Sequence, residues 1–300
     1  MSRQKRKEYA FYAVLAGTFL LIAGAYGSGE KSVQQNAKEI GTVAEKAVAE
    51  PEYVPAVRLY AGIFTKLDGE EYAVIEKNKD ILVVAANRGY FDESDVYSFL
   101  QGPKSWGEGR AWSGEWSNQY VRGNYFGNFG CGLCCMANIY STFSGHTCSP
   151  WDMFLYAREV SGYTPTKKIG AIGWGDMKTV MRKCGFDAEL YTKPQDYETF
   201  RDQVRSAKSV VVLVSSHDDN TYWKKTGGHY VNISLYKEDT DEVFLADPAD
   251  PDGNRNYIPL RYVYDALKTV SKYQYLLVNG YSEEQNQWKQ DGIDEAWVAP

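Results

Sequence analysis

Beyond its first eight residues this sequence holds no cluster of basic side chains, and its net charge is −6 over 300 residues. Tracking a phosphate backbone takes a basic patch or stripe, so nucleic acid is set aside as a partner. Internal repeats and low-complexity segments are absent. Histidine is scarce, with three residues, so chemistry that needs an imidazole has three places to find it. The stretch from Tyr9 to Gly29 carries no charge at all. No cysteine follows that stretch, which argues against a lipoprotein anchor.

What remains is close to a normal globular composition, 44% hydrophobic and 24% charged. The length allows one ordinary domain with appended segments. The 15% aromatic content suits a stable fold with a broad surface cleft, most of the rings serving as packing.

The N-terminus is expected to meet a membrane. Arg3, Lys5, Arg6 and Lys7 precede the uncharged stretch. About 20 apolar residues span a bilayer, and a basic flank stays on the cytoplasmic side. The rest of the chain is then expected outside. Ala23-Gly24-Ala25 resembles a small-residue cleavage site, so a removed signal peptide and a secreted product is the alternative to a single-pass anchor.

Changes of texture suggest the organisation. Residues 1–29 read as a cytoplasmic tip and transmembrane or signal segment. Residues 30–55 read as a helical linker, from Val33, Ala37, Ile40, Ala44 and Val48 at helical spacing, ended by Pro51 and Pro55. Residues 56–95 read as a small β-rich accessory segment with a hairpin, Glu71–Ile75 and Asp80–Ala85. Residues 96–280 form the main domain, and 281–300 a C-terminal tail. Within the main domain, 101–130 is an ordered loop carrying Trp106, Trp112 and Trp116.

Helices are expected over Cys131–Phe143, from Pro150 to about Val160 with Ser149 as N-cap, over Asp176–Lys183 closed by Gly185, and over Tyr197–Lys208. Strands are expected over Ser209–Ser215, His229–Tyr236, Glu242–Ala246 and Tyr273–Val278, with a helix over Leu260–Val270. Helices first and antiparallel strands after make the fold class α+β.

The chemistry centres on Gly130-Cys131-Gly132, which opens an apolar helix. A thiol at a helix N-terminus feels the positive end of the dipole, which favours thiolate. The flanking glycines permit a sharp turn and close approach of a substrate backbone, and unpaired N–H groups there suit a developing oxyanion. Gly227-Gly228-His229-Tyr230-Val231 opens a strand, which makes His229 the best base. His146 lies past the end of the Cys131 helix, and His217 sits in a polar turn. A catalytic His needs a group that orients its ring. Asp247 ends the strand expected to pair with the His229 strand. Asn232 is the alternative, three residues along the same strand and so on its opposite side.

The order Cys, His, Asp, with Gly-Cys-Gly opening a helix, Gly-His-Tyr-Val on a strand and Asp-Pro-Ala after it, resembles the bacterial papain-like cysteine peptidases. It is similar in particular to those related to the double-glycine leader peptidases of bacteriocin exporters. The resemblance spans about residues 96–280. It implies a papain-like fold and peptide-bond hydrolysis of a peptide or protein substrate through an acyl-enzyme, without metal or organic cofactor. It also implies a glutamine before the cysteine that completes the oxyanion hole. Six residues before Cys131 stands Tyr125, so the implied glutamine is Gln101 or Gln119, with Gln101 preferred because Trp106 follows it. Leu133-Cys134-Cys135 stands where relatives carry Pro followed by Thr or Ser.

Two other functions stay open on the residues alone. One is a catalytically silent, peptide-binding domain of the same fold. The other is a cell-wall peptide amidase or endopeptidase. Cys134, Cys135, Cys148 and Cys184 are either disulfide partners in an oxidising exterior or small buried hydrophobes. Cys131, Cys134 and Cys135 with His146 and Cys148 also invite a zinc reading, in a compact spacing within one helix turn.

Overall fold

The computed structural model describes residues 64–67, 70–77, 80–85 and 91–300, except 168–169. The expected membrane segment and the helix expected over 30–50 lie outside the described residues. Among those described, no helix is long and apolar enough to cross a membrane. The chain divides into two units at Tyr90 and Phe91. In the first, strands β1 (Phe64–Leu67), β2 (Glu70–Lys77) and β3 (Asp80–Ala85) form an antiparallel sheet in that order. The expected hairpin is β2–β3, with Lys77 opposite Asp80. The strand β1 was not anticipated.

The second unit is built on one six-stranded antiparallel sheet. Its strands are β7 (Cys184–Tyr191), β8 (Ser209–Val214), β9 (His229–Lys237), β10 (Glu242–Ala246), β11 (Asn256–Pro259) and β12 (Tyr275–Asn286). They lie in the order β11-β10-β9-β8-β12-β7. Before the sheet come α1 (Pro103–Gly107), β4 (Ser113–Gly114), β5 (Tyr120–Val121), β6 (Asn124–Tyr125), α2 (Phe126–Phe129), α3 (Cys131–Phe143), α4 (Pro150–Ser161) and α5 (Trp174–Lys183). The helices α6 (Tyr197–Ser206) and α7 (Leu260–Ala266) lie between strands of the sheet in sequence, and β13 (Trp297–Val298) comes last.

The sheet is buried on both faces, and strand alternation assigns each side chain to one of two cores. Val211, Leu213, Leu276 and Val278 pack with α3, α4 and α5. Val210, Val212, Val214, Tyr275 and Leu277 pack with α6 and α7. The Val-Val-Val-Leu-Val run of β8 is thus a strand covered on both sides. The mixed architecture is α+β, as expected.

Local chemistry sets the starts of two helices and the end of one of them. Ser149 and Asp152 form a reciprocal capping box around Pro150, and Gly162 closes α4 at φ 74°. Asp196 caps α6 by accepting from Thr199 N at 2.7 Å. Two elements differ from expectation. The helix α7 stops at Ala266, because Leu267 bridges to Val214 and Lys268 N donates to the Leu213 carbonyl at 2.8 Å. Gly185 closes α5 as expected, in a left-handed position directly after the C-cap Cys184. The chain passes from α5 directly into β7, where Gly185 sits at φ 87° and a Cβ would lie 2.4 Å from the Ser282 carbonyl. The strand β7 was missed, although Phe186, Ala188 and Leu190 alternate with Asp187 and Glu189. Its pairing draws β12 out to Asn286.

Residues after the last expected strand pack on the same unit. Trp297 pairs with Gly114, and its ring meets Phe99 and Trp112 edge-on or tilted. The Trp-rich loop is consequently an ordered wall, with Trp112 and Trp116 buried.

Candidate active site

Cys131 is the first residue of α3, with Gly130 at the N-cap and no side chain capping the helix. The two glycines act through space rather than through unusual dihedrals. Gly130 has φ −77°, a value open to any residue, but a Cβ there would strike the Phe126 ring at 2.2 Å. A Cβ on Gly132 would meet Ile172 at 2.7 Å and Tyr230 at 3.3 Å. The glycines therefore seat the start of α3 tightly on its neighbours, rather than serving the sharp turn expected of them.

His229 opens β9, opposite Val214 on β8. Asp247 follows the last residue of β10, whose Ala246 lies opposite Asn232. The antiparallel pair brings the two ends together, and His229 Nε2 lies 2.7 Å from Asp247 Oδ1. Nδ1 is then the ring nitrogen left for Cys131, on whose thiol His229 acts. The three side chains form one chain of contacts, nearly closed to solvent at 7%, 9% and 2% exposure.

The electrostatics follow from that arrangement. Burial pushes the Cys131 thiol up, but the His229 hydrogen bond and charge, with N–H groups of Tyr230 and Gly132, outweigh it and leave it below an ordinary thiol. Burial opposes charge on His229 as well. The Asp247 carboxylate overrides this and the imidazole is pushed up to about 10. Burial would raise Asp247, yet His229, Trp223 and the Ala249 N–H hold it below the usual carboxylate range. The buried groups thus favour a thiolate, an imidazolium and a carboxylate in a row.

Three residues whose part sequence reasoning missed hold Asp247. Trp223 donates from Nε1 to Oδ2 at 2.9 Å, and the Ala249 N–H donates to Oδ1 at 2.9 Å. Asn254 accepts from Asp247 N at 3.0 Å and donates from Nδ2 to the Ser98 carbonyl at 2.9 Å. Trp223 stands in the long loop between β8 and β9, where no periodicity marks it. Asn254 sits in a turn, and its side chain reads there only as turn chemistry.

Gln101 is brought to the Asp247 end of the site by its backbone, which donates to the Pro248 carbonyl at 2.8 Å. Trp116 Nε1 fixes the preceding carbonyl, that of Leu100, at 2.8 Å. The Gln101 side chain is buried, its Nε2 donating to the Gly127 carbonyl at 2.7 Å while Oε1 has no partner. Gln119 is half-buried and engaged through its backbone, its carbonyl accepting from Phe126 N at 2.9 Å.

The remaining candidates lie elsewhere. The Asn232 side chain accepts from Asn138 Nδ2 at 3.1 Å. His146 pairs through Nε2 with Glu283 at 3.0 Å. His217 is exposed, and its N–H donates to Ser215 Oγ. All five cysteines are free thiols, and burial raises Cys134, Cys135, Cys148 and Cys184 above an ordinary thiol. Among the described residues no three His, Cys, Asp or Glu side chains gather closely enough to hold a metal ion.

The family model described as the Peptidase_C39 like family matches residues 116–288. The match covers more than half of the chain, and the chain belongs to this family. Cys131, His229, Asp247 and Gln119 fall inside the matched span, and Gln101 falls before it. No curated protein matches the chain. Membership points to a cysteine-peptidase type of function.

Proposed function

We propose that the protein is a cysteine peptidase that hydrolyses peptide bonds through an acyl-enzyme on Cys131. The observation that carries this reading is the buried ring of His229, held by Asp247 at Nε2 and acting on the Cys131 thiol. A thiolate held beside an imidazolium is both deprotonated and supplied with a proton donor. The Cys131 sulfur attacks the peptide carbonyl, and His229 Nδ1 gives its proton to the leaving amine. Asp247 keeps the ring oriented and its charge compensated. A water, deprotonated by His229, then releases the acyl group.

Gln101 is assigned to the oxyanion hole with the Cys131 N–H. Support comes from its burial and its tether to Pro248. One N–H of its amide is bound to Gly127, and the second is the donor assigned to the developing oxyanion. The substrate is a peptide or protein. The site is placed outside the membrane on the strength of the basic cluster before the uncharged stretch Tyr9–Gly29.

The test is labelling with iodoacetamide or an epoxide at neutral pH, with cleaved-peptide profiling of the active chain against Cys131→Ala. One label per chain at Cys131, and cleavages lost in the variant, are expected. Labelling of the variant at unchanged stoichiometry would mean that another thiol is the reactive one.

A further inference from the structure

Cys131 is followed, at the fourth position of the same helix, by a second thiol that the hydrolytic reaction does not use. Both belong to the core around α3. Cys131 retains 7% exposure, whereas Cys134 is fully enclosed. In a helix the rise over three residues is about 4.5 Å, and each side chain leans back toward the N-terminus. Cys134 therefore reaches toward the turn that carries Cys131. Disulfides form across Cα separations of about 4.4–6.8 Å. Cys135, at the fifth position, is equally enclosed and feels the charge of Asp247 as well as that of Cys131. Two free thiols, one activated and one sealed, thus occupy the first and fourth positions of a helix that nothing else caps.

We propose that Cys131 and Cys134 form a reversible redox lock on the nucleophile, closed by a hydroperoxide. The proposal rests on the reading of Cys131 as a reactive thiolate. In the first step the Cys131 thiolate attacks the peroxide, an S–O bond forms and the O–O bond breaks. The sulfur is oxidised to a sulfenic acid, the peroxide is reduced, and its second oxygen leaves as hydroxide or alkoxide. In the second step Cys134 gives up its proton and attacks the sulfenic sulfur. An S–S bond forms, the S–O bond breaks, and the hydroxyl leaves with the proton as water.

Two features of the site favour this order. The thiol that His229 and the N–H groups of Tyr230 and Gly132 activate is also the exposed one, so it meets the oxidant first. Burial first, and then negative charge on Cys131, hold the Cys134 proton in place, and conversion to a neutral sulfenic acid removes the second of these. The resolving thiol is thus less restrained after the first step than before it. The disulfide leaves no thiolate for acyl transfer, and a dithiol reductant restores it. Without a partner thiol the sulfenic acid is oxidised by a second peroxide to sulfinic acid, the peroxide being reduced, and a dithiol does not reverse that step.

The test uses the full chain, reduced, exposed to a few equivalents of hydrogen peroxide per chain, alkylated and mapped by mass spectrometry. A Cys131–Cys134 disulfide is expected, with peptide hydrolysis falling at least tenfold and returning on dithiothreitol. In Cys134→Ala the expected product is Cys131 sulfinic acid, and the loss is not reversed. Sulfinic acid at Cys131 in the unaltered chain without a disulfide would overturn the proposal. So would a bridge from Cys131 to Cys135. The mass shift is read whether or not the reduced chain cleaves peptides, so failure of the peptidase reading is separable from failure of the lock.

Discussion

The contact between α3 and β9 is polar at two places, and the two differ in kind. At one end Cys131 meets His229, and each shifts the other toward its charged form. Further along, Asn138 meets Asn232 in a bond between neutral amides at 3.1 Å. The spacing matches: seven residues of helix rise about 10.5 Å and three residues of strand about 10 Å. Helix and strand thus run side by side in the same direction, and one register serves both contacts. Charge is concentrated where a buried carboxylate, that of Asp247, compensates it. The distant contact is neutral, and Asn138 Oδ1 also accepts from Phe99 N at 2.8 Å, which ties the segment leading to Gln101 onto the helix. On the proposed reading one end serves chemistry and the other alignment, and substitutions should separate them.

The largest effect is expected at Cys131. Cys131→Ala should reduce peptide hydrolysis to background while the melting temperature changes by no more than a few degrees, read by calorimetry beside the assay. Unfolding of this variant would assign Cys131 to the structural end of the contrast. Asp247→Ala should come next. It removes the partner of a buried imidazolium and of the Trp223 N–H, so kcat is expected to fall by about 10²–10⁴ and stability by about 3–5 kcal/mol. Asp247→Asn, which keeps an oxygen for His229, should retain more of both.

Asn138→Ala should invert the pattern. It leaves the Phe99 N–H buried without an acceptor, a loss of about 1–3 kcal/mol in denaturant unfolding, with hydrolysis reduced only modestly. A complete loss of activity with unchanged stability would erase the distinction drawn between the two contacts.

The smallest effects concern pH. Cys131 lies below an ordinary thiol and His229 above an ordinary imidazole, so kcat/KM should rise as the thiol deprotonates and fall as the imidazolium is lost near pH 10. Asp247, depressed in the folded state, contributes stability above its unfolded value, and that contribution is lost as pH falls through the folded one. Trp223→Phe removes one donor to the carboxylate. The acid loss of stability should then begin at higher pH, by less than about one unit.

Much of this frame was legible beforehand because its signals are local. Ser149-Pro150 with Asp152 announces a helix start through atoms within one turn. The apolar run of β8 and the alternation of β9 announce strands whichever partners they find. Cys131 and His229 stood out by their glycine-flanked positions at the starts of a helix and a strand. The strand β7 was masked because it continues from α5 without a break, the transition being made by Gly185 at a positive φ. The end of α7 was equally hidden, since what stops it is a bond from Lys268 to Leu213, far off in sequence.

The sequence by itself determined that a thiol would stand at a helix N-terminus and an imidazole at the start of a strand, because both placements follow from neighbours within a few residues. It also determined an antiparallel β9–β10 pair, and with it that Asp247 would return toward His229. Only the tertiary structure decided which ring nitrogen faces the carboxylate. It alone decided that Trp223 and the Ala249 N–H hold that carboxylate, and that the glycines beside Cys131 serve packing against Phe126 and Ile172. Those outcomes depend on atoms brought together from distant segments, and a contact made across the fold leaves no periodicity in the chain that makes it.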